Sequence, residues 1–385
     1  MNILLINDFK TGGGAEVIFT KTYETLIEAG NNVDLKYYYT QITPPRSALS
    51  YIFSLHNYHE IYKVLCEKKY DLVYLLNYSN AFSPSILLAI KKYKQKNSNL
   101  KVIYNAHDAH IICPNSALNY YKGNKICRFE KTPSLHKFIF KQLDHRGAIY
   151  SIIKKIQWIT AYKFLRLYNI FDKILCPSQF LASRIKEVYP NLSVEILRNP
   201  LNFKDITVPQ DYNKKIRTPI RLIYFGRLST EKGLDILLHN IASIKIPYNF
   251  HIYGDGPQAN QLKKIVKTLN LENQIIFKGK TSWKDLMKII SDYDIFILSS
   301  SCYENAPLSI VEAAYAGLYI LTMNYGGMKE ISEIVGNNFY INSSSTTLTD
   351  ILNLIQKTPF QKPNCAPFSE NIFRKRLLHY ISPKR

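Results

Sequence analysis

The chain has 385 residues, 46% of them hydrophobic, and carries 50 Lys and Arg against 29 Asp and Glu, a formal net charge of +21. That length argues for two domains with full cores. The charge invites a nucleic-acid partner, but the lysines are spread along the chain and no nucleic-acid motif accompanies them. A surface that meets anionic lipid or an anionic substrate is the sharper reading. None of the six cysteines forms a C-x-x-C pair, which excludes a zinc ribbon or a redox pair and leaves reduced, cytosolic thiols as the default. Cys113 and Cys127 bracket a loop that follows His107 and His110, so a metal site there stays open. The start, MNILLIND, has no basic region and reads as a buried strand rather than a signal peptide. No run reaches the ~18 apolar residues of a membrane-spanning helix.

The first half alternates strand and helix signals. Residues 3–7 form a strand, and the loop Gly12-Gly13-Gly14 leads into a helix over about 15–29, stopped by Gly30. Strands follow at 32–38, 72–76 and 101–105. Such alternation predicts a parallel sheet covered by helices on both faces. NAHDAH (105–110) follows a strand, which puts His107 at a sheet's carboxyl end, where α/β sites form. Residues 137–171 read as one long helical stretch, aromatic and basic. Lys154, Lys155, Lys163 and Arg166 interleave there with Ile152, Ile156, Trp158, Ile159, Tyr162 and Leu165. A basic amphipathic helix can lie on an anionic membrane; a core-facing helix with a solvated face has the same pattern. A strand at 174–177 precedes Ser178, a good N-cap, and a strand at 194–197 ends at the turn Asn199-Pro200.

The polar segment 204–219, with two prolines, marks the linker and the entry to a second α/β domain. Strands at 221–225, 250–253 and 275–277 alternate with helices from Gly233, over 258–269 and over 283–291. YFGRLSTEKG (224–233) sets Arg227 and Lys232 on a loop between strand and helix. Fixed cations there would stabilise a departing diphosphate; a helix cap at Ser229 and Thr230 with solvated charges is the plainer reading. IYGDGPQANQL (252–262) is a turn whose glycines permit positive φ and whose Pro257 opens a helix.

The most informative stretch is 294–317, DIFILSSSCYENAPLSIVEAAYAG. An apolar strand over 295–298 ends in a serine-rich turn, and Pro307 stands where a helix closed by Gly317 should begin, the position that needs no N–H. The N–H groups of Asn305 to Ser309 then point outward at the positive end of the helix dipole, a site for a phosphate. Glu304 and Glu312, with seven residues between them, flank the turn, Glu312 about two turns into the helix. Both can accept hydrogen bonds from hydroxyls. Phosphate plus several hydroxyls describes a nucleotide sugar.

This segment resembles the Glu-x7-Glu signature of retaining glycosyltransferases of family 4, the glycosyl transferases group 1. The resemblance is strongest over 221–330 and implies the GT-B fold: α/β, with two Rossmann-like parallel-sheet domains facing a central cleft. Residues 1–200 would form the acceptor-side domain, 201–368 the nucleotide-sugar domain, and 369–385 a helix crossing back. It implies transfer of a hexose-type sugar from a nucleotide sugar, UDP- or GDP-linked, to a hydroxyl with retention, through front-face attack assisted by the leaving phosphate. Arg227 and Lys232 would hold the donor diphosphate, Glu304 the sugar ring, Glu312 the ribose hydroxyls. The donor would also meet Gly13, Gly14, Gly254, Gly279, Asn305, Ala306, Pro307 and Leu308. His107 would face the donor sugar, with His107, Glu304, Arg227 and Lys232 forming the catalytic set and Glu16 on the acceptor side. The strand end 277–280 would meet the base without identifying it. Gly326-Gly327-Met328-Lys329-Glu330 resembles a second close-approach loop. Asp292-Tyr293-Asp294 matches the metal-binding Asp-x-Asp of the other major glycosyltransferase fold, but sits between a helix end and a strand, so neither a metal nor a cofactor is expected. A lipid-linked acceptor in surface polysaccharide synthesis, on the cytoplasmic face of the cell membrane, fits the positive charge. A non-catalytic basic protein for nucleic acid or lipid head groups is the alternative, and a GT-B epimerase or phosphorylase a third.

Overall fold

The structure is a computed structural model that describes residues 1–10, 13–38, 47–123, 125–133, 135–209, 212, 215–216, 218–341 and 347–382. The chain divides into two compact units, Met1–Pro200 with Phe373–Arg385, and Leu201–Ile372.

The strands described in the first unit are β1 (Asn2–Phe9), β2 (Asn32–Tyr38), β3 (Leu72–Leu75), β4 (Lys101–Asn105), β5 (Asn119–Lys122), β6 (Lys125–Arg128), β7 (Lys173–Cys176) and β8 (Val194–Ile196). Six of them form a parallel sheet in the order β2-β1-β3-β4-β7-β8, and β5 pairs with β6 in an antiparallel hairpin. The runs LLIN and LVYL are buried along their whole length, as a sheet covered on both faces requires. Its helices are α1 (Gly14–Glu28), α2 (Ala48–Ile52), α3 (Leu55–Glu67), α4 (Ser85–Lys96), α5 (Leu135–Ile139), α6 (Ala148–Ile159) and α7 (Gln179–Val188). Ser178 caps α7 by accepting from the Leu181 N–H at 3.2 Å.

The expected helix over 137–171 is broken. α5 ends at Ile139 and α6 starts at Ala148, followed by a π-helical turn (Thr160–Phe164) and a 3-10 turn (Leu167–Ile170). Gly147 at φ 118° and Arg166 at φ 47° are left-handed and stop helical propagation on either side. The loop before α6 is held by the buried Asp144 carboxylate, which accepts from Arg146 and Lys154 at 2.9 Å each.

The strands described in the second unit are β9 (Ile220–Phe225), β10 (Tyr248–Tyr253), β11 (Ile275–Gly279), β12 (Ile295–Leu298), β13 (Tyr319–Thr322) and β14 (Asn338–Tyr340), in one parallel sheet ordered β11-β10-β9-β12-β13-β14. Helices α8 (Leu234–Ile241), α9 (Ala259–Thr268), α10 (Trp283–Ile289), α11 (Leu308–Tyr315), α12 (Gly326–Val335) and α13 (Leu348–Lys357) connect or follow them. β12 is buried throughout, and Ile310, Val311, Ala313 and Ala314 of α11 join the same core. The segment read as a linker is partly tied to this unit: Thr207 N–H donates to Met287 O at 3.1 Å. Residues 210, 211, 213, 214 and 217 of that segment lie outside the described residues.

The last helix, α14 (Glu370–Ile381), begins in the second unit and continues in the first. There Arg374 pairs with Glu28 at 2.7 Å and the Tyr380 hydroxyl donates to Ile196 O at 3.1 Å.

Candidate functional site

Chain order decides where the second sheet can bind a ligand. From β9 the chain steps to β10 and β11 on one side, then returns to lay β12 on the other side of β9. The loops leaving β9 and β12 therefore diverge, and the crevice between them at the carboxyl ends is the switch point where such sheets bind ligands.

The two loops are interlocked. Ser301 N–H donates to Glu231 O at 2.8 Å, and Ser299 Oγ donates to Lys232 O at 3.0 Å. Gly233, at φ 64°, leaves no room for a Cβ against the Ser299 carbonyl. Through this junction Lys232 Nζ reaches Glu304 Oε1 at 2.6 Å, and Ser300 Oγ donates to the same oxygen at 2.6 Å. Burial alone would raise the Glu304 carboxyl, but the Lys232 ammonium outweighs it and the net shift is downward. Burial opposes the Lys232 charge and Glu304 restores it, so that its net shift is upward. Both groups are ionised at neutral pH. Glu304 Oε2 makes no hydrogen bond among the described residues and is available to a hydroxyl.

Beyond Glu304 the chain enters α11. Pro307 is the N-cap, one position earlier than the sequence places it, and the helix begins at Leu308. Glu312 is thus one turn into the helix rather than two. The Leu308 and Ser309 N–H groups have no intrahelical acceptor and face the turn. The second glycine pair is not a loop but the first turn of α12. Its Gly327 N–H donates to Glu304 O at 2.8 Å, and a Cβ at Gly327 would overlap the Asn305 carbonyl. The Glu304–Leu308 turn is therefore pressed between α12 and the β9 loop.

A second cluster lies on the other side of β9. Gly226 N–H bonds Tyr253 O at 3.1 Å, Leu228 N–H bonds Asp255 O at 2.9 Å, and Gly254 N–H bonds Gly279 O at 2.8 Å. Hydrogen bonding thus continues past the strand ends and stacks three loops. Gly254, at φ 136°, meets the Gly226 carbonyl where any Cβ would overlap it. These loops and α10 border an open cavity of about 480 Å3 lined by Arg227, Tyr253, Gly254, Lys280, Thr281 and Trp283, among others. Cations and flat aromatic walls in one cavity suit a nucleoside phosphate.

Trp283 joins the two clusters. Ser282 caps α10 by accepting from Asp285 N–H at 3.2 Å, which fixes Trp283 as the first helical residue. Its indole N–H donates to Glu312 Oε1 at 2.8 Å. Burial pushes the Glu312 carboxyl up to about 7, and the indole bond pulls against that rise. Sequence reasoning missed Trp283 and Ser300. The available signal for the first was that it is one of two tryptophans in the chain, set at a helix start after a strand end already singled out.

The structure thus brings Lys232, Glu304 and the Asn305–Leu308 turn together, lines a neighbouring cavity with Arg227 and Gly254, and links Glu312 to its wall. Gly279 has no atom within 4 Å of a Cβ position and contributes its carbonyl to Gly254. In the first unit Glu16 Oε2 accepts from Gly13 N–H at 2.6 Å, a cap for α1. Gly13 is extended and Gly14 has open space at its Cβ position, so neither glycine is demanded by the backbone. Gly12 lies outside the described residues. His107 follows β4, and burial lowers its imidazole to about 4, so it is neutral at physiological pH. Between these, Asp8 at the end of β1 accepts from the N–H groups of Asn80, Ala81 and Phe82 at 2.8 to 3.1 Å, which shapes the carboxyl end of this sheet too. Among the described residues no group of three His, Cys, Asp or Glu gathers as a metal site. Asp292 ends a 3-10 turn, and buried Asp294 accepts from Arg221 N–H at 2.9 Å.

Residues 210–367 match the family model described as Glycosyl transferases group 1. The second unit carries a glycosyl transferases group 1 domain. The chain is 25% identical over 378 residues to an uncharacterized 42.6 kDa protein in the cps region of Klebsiella pneumoniae, covering 89% of this chain and 90% of that one. It spans about half the length of other curated relatives it matches. Among solved structures, this chain resembles the lipopolysaccharide outer core galactosyltransferase WaaB (TM-score 0.66, 17% identity, 99% of each chain). It also resembles Anabaena Alr3699/HepE in complex with UDP-glucose (TM-score 0.64, 18% identity, 99% of each chain). The fold is GT-B.

Proposed function

We propose that this chain is a glycosyltransferase that moves a hexose-type sugar, with retention, from a UDP- or GDP-sugar to a hydroxyl of a growing surface polysaccharide. The observation that carries the reading is the Lys232–Glu304 pair at the switch point, 2.6 Å apart and beside the start of α11. Lys232 and Arg227 would stabilise the leaving diphosphate, Glu304 would accept from a sugar hydroxyl through Oε2, and Glu312 would hold the ribose. The sugar–phosphate bond breaks as the acceptor oxygen bonds the anomeric carbon, and the acceptor proton passes to the departing phosphate. His107, neutral, would contact the sugar. The cps-region relative and the likeness to WaaB support the polysaccharide setting; HepE, solved with UDP-glucose, supports a uridine donor.

The acceptor would be lipid-linked and the protein peripheral on the cytoplasmic membrane face. α6 buries Ser151, Gln157 and Trp158 and turns Ile149, Ile152 and Ile156 outward, with Phe140 89% exposed nearby in sequence and Lys137 and Lys163 exposed as well. An outward apolar stripe flanked by lysines suits an anionic bilayer. No helix of the described residues is long and apolar enough to cross a membrane.

The test is thermal stability against UDP-, GDP-, ADP- and CMP-sugars, for wild type and Glu312→Ala. A ligand at a hundred times its Kd adds about 2.7 kcal/mol. A shift with one nucleotide class that the variant loses supports the donor site. Equal shifts with every anion in both proteins would sink it.

A further inference from the structure

The geometry points to Trp283 as the positioning residue that sets how Glu312 grips the ribose of the donor. The inference rests on the donor reading above and adds to it a residue that no motif supplied.

The Glu312 carboxylate has one hydrogen-bond partner among the described residues, the Trp283 indole N–H on Oε1 at 2.8 Å. Glu312 is buried on α11, 8% exposed. A carboxylate in such surroundings is stabilised by whatever donor is held against it. An indole N–H can only donate, so it fixes Oε1 as an acceptor and leaves Oε2 as the oxygen that can meet a ligand. The indole is itself fixed: α10 starts at Trp283, and Ser282 closes a reciprocal cap with Asp285, its hydroxyl 2.6 Å from Asp285 Oδ2. The same ring walls the 480 Å3 cavity. One side chain thus shapes the space for the nucleoside and aims the carboxylate that would bind its sugar. Two neighbouring ribose hydroxyls need an acceptor in a set orientation; a carboxylate free to rotate pays that ordering when the ligand arrives.

The experiment measures the affinity of UDP and of 2′,3′-dideoxy-UDP by calorimetry, for wild type, Trp283→Phe, Glu312→Gln and the double variant. Phenylalanine keeps an aromatic wall and removes the N–H. The expected result is a loss of about tenfold for UDP in Trp283→Phe, with dideoxy-UDP changed less than twofold. The double variant should bind UDP no more weakly than Glu312→Gln alone, because Trp283 acts through that carboxyl. Equal losses for the two ligands would overturn the inference and make Trp283 a cavity wall only; so would additive losses in the double variant. If Trp283→Phe does not fold, Trp283→Tyr, which also keeps an aromatic wall and lacks the indole N–H, is read in the same way. A wild type that binds UDP while the variants behave otherwise sinks this inference alone. A wild type that binds no nucleoside diphosphate sinks the donor reading, and the inference with it.

Discussion

Lys232 Nζ and Glu304 Oε1 lie 2.6 Å apart although 72 residues separate them in sequence. The contact exists because β12 is laid beside β9, which brings the loop after one strand against the loop after the other. Each partner answers the other's desolvation, and Ser300 adds a third polar group to the same oxygen. Removing one partner leaves the other partly buried and unpaired. Glu304→Gln and Lys232→Met should each destabilise by about 2 kcal/mol in urea unfolding. The double variant should lose less than the sum of the two. Strict additivity would mean that the pair does not couple.

Glu312 gives the protein a pH signature. Its folded pKa is raised to about 7 by burial, above the value near 4.3 of an unperturbed glutamate. Between these values the folded state keeps a proton that the unfolded chain has released. The contribution to stability is full below the lower value and is lost as pH rises through about 7, on the order of 3 kcal/mol. Unfolding measured from pH 4.5 to 7.5 should show this decline in wild type, and Glu312→Gln should flatten it.

The same group should govern donor affinity in the opposite sense. Ribose hydroxyls donate to an ionised carboxylate, so binding strengthens as Glu312 loses its proton. UDP-glucose, whose diphosphate does not titrate near neutrality, should bind about tenfold more tightly at pH 8 than at pH 6. Calorimetry checks this. A pH-independent affinity would remove Glu312 from the donor site.

Two glycines should respond oppositely to alanine. Gly254 stands at φ 136° with the Gly226 carbonyl where the methyl would go. Gly254→Ala should cost about 3 kcal/mol and abolish nucleotide binding through the stacked loops. Gly14→Ala, with nothing within 4 Å, should alter stability by less than about 0.5 kcal/mol. Thermal unfolding of the two variants reads both.

The outward face of α6 gives a test of membrane contact that spares the fold. Ile149, Ile152 and Ile156 are exposed at 73%, 52% and 45%. Changing all three to Ser should leave thermal unfolding nearly unchanged and reduce sedimentation with anionic vesicles by about tenfold or more. Unchanged sedimentation would leave the basic residues as the only membrane contact.

Much of the architecture was legible because its signals are local. Apolar runs such as LLIN and IFIL are too short for helices and too continuous for a half-exposed sheet, so they read as buried parallel strands. The Glu-x7-Glu spacing, the Gly-Arg-Leu loop and the Asn-Ala-Pro turn were visible for the same reason: each is one strand end and its turn. The stretch 137–171 was misread because hydrophobic periodicity does not report the left-handed residues at 147 and 166 that interrupt it. The hairpin of β5 and β6 was missed because neither strand is apolar along its length.

The sequence by itself determined the elements, the glycines at the loops, and which residues carry charge at strand ends, since these depend on backbone preference and on neighbours a few residues away. Only the tertiary structure decided which loops meet. Strand order put Lys232 against Glu304 and set Trp283 against Glu312. The packing of the first unit also turned Ile152 and Ile156 of α6, read along the chain as either core or membrane face, toward solvent. Such contacts depend on the order in which strands pair and on which helix face the core leaves uncovered, and neither is written in local sequence.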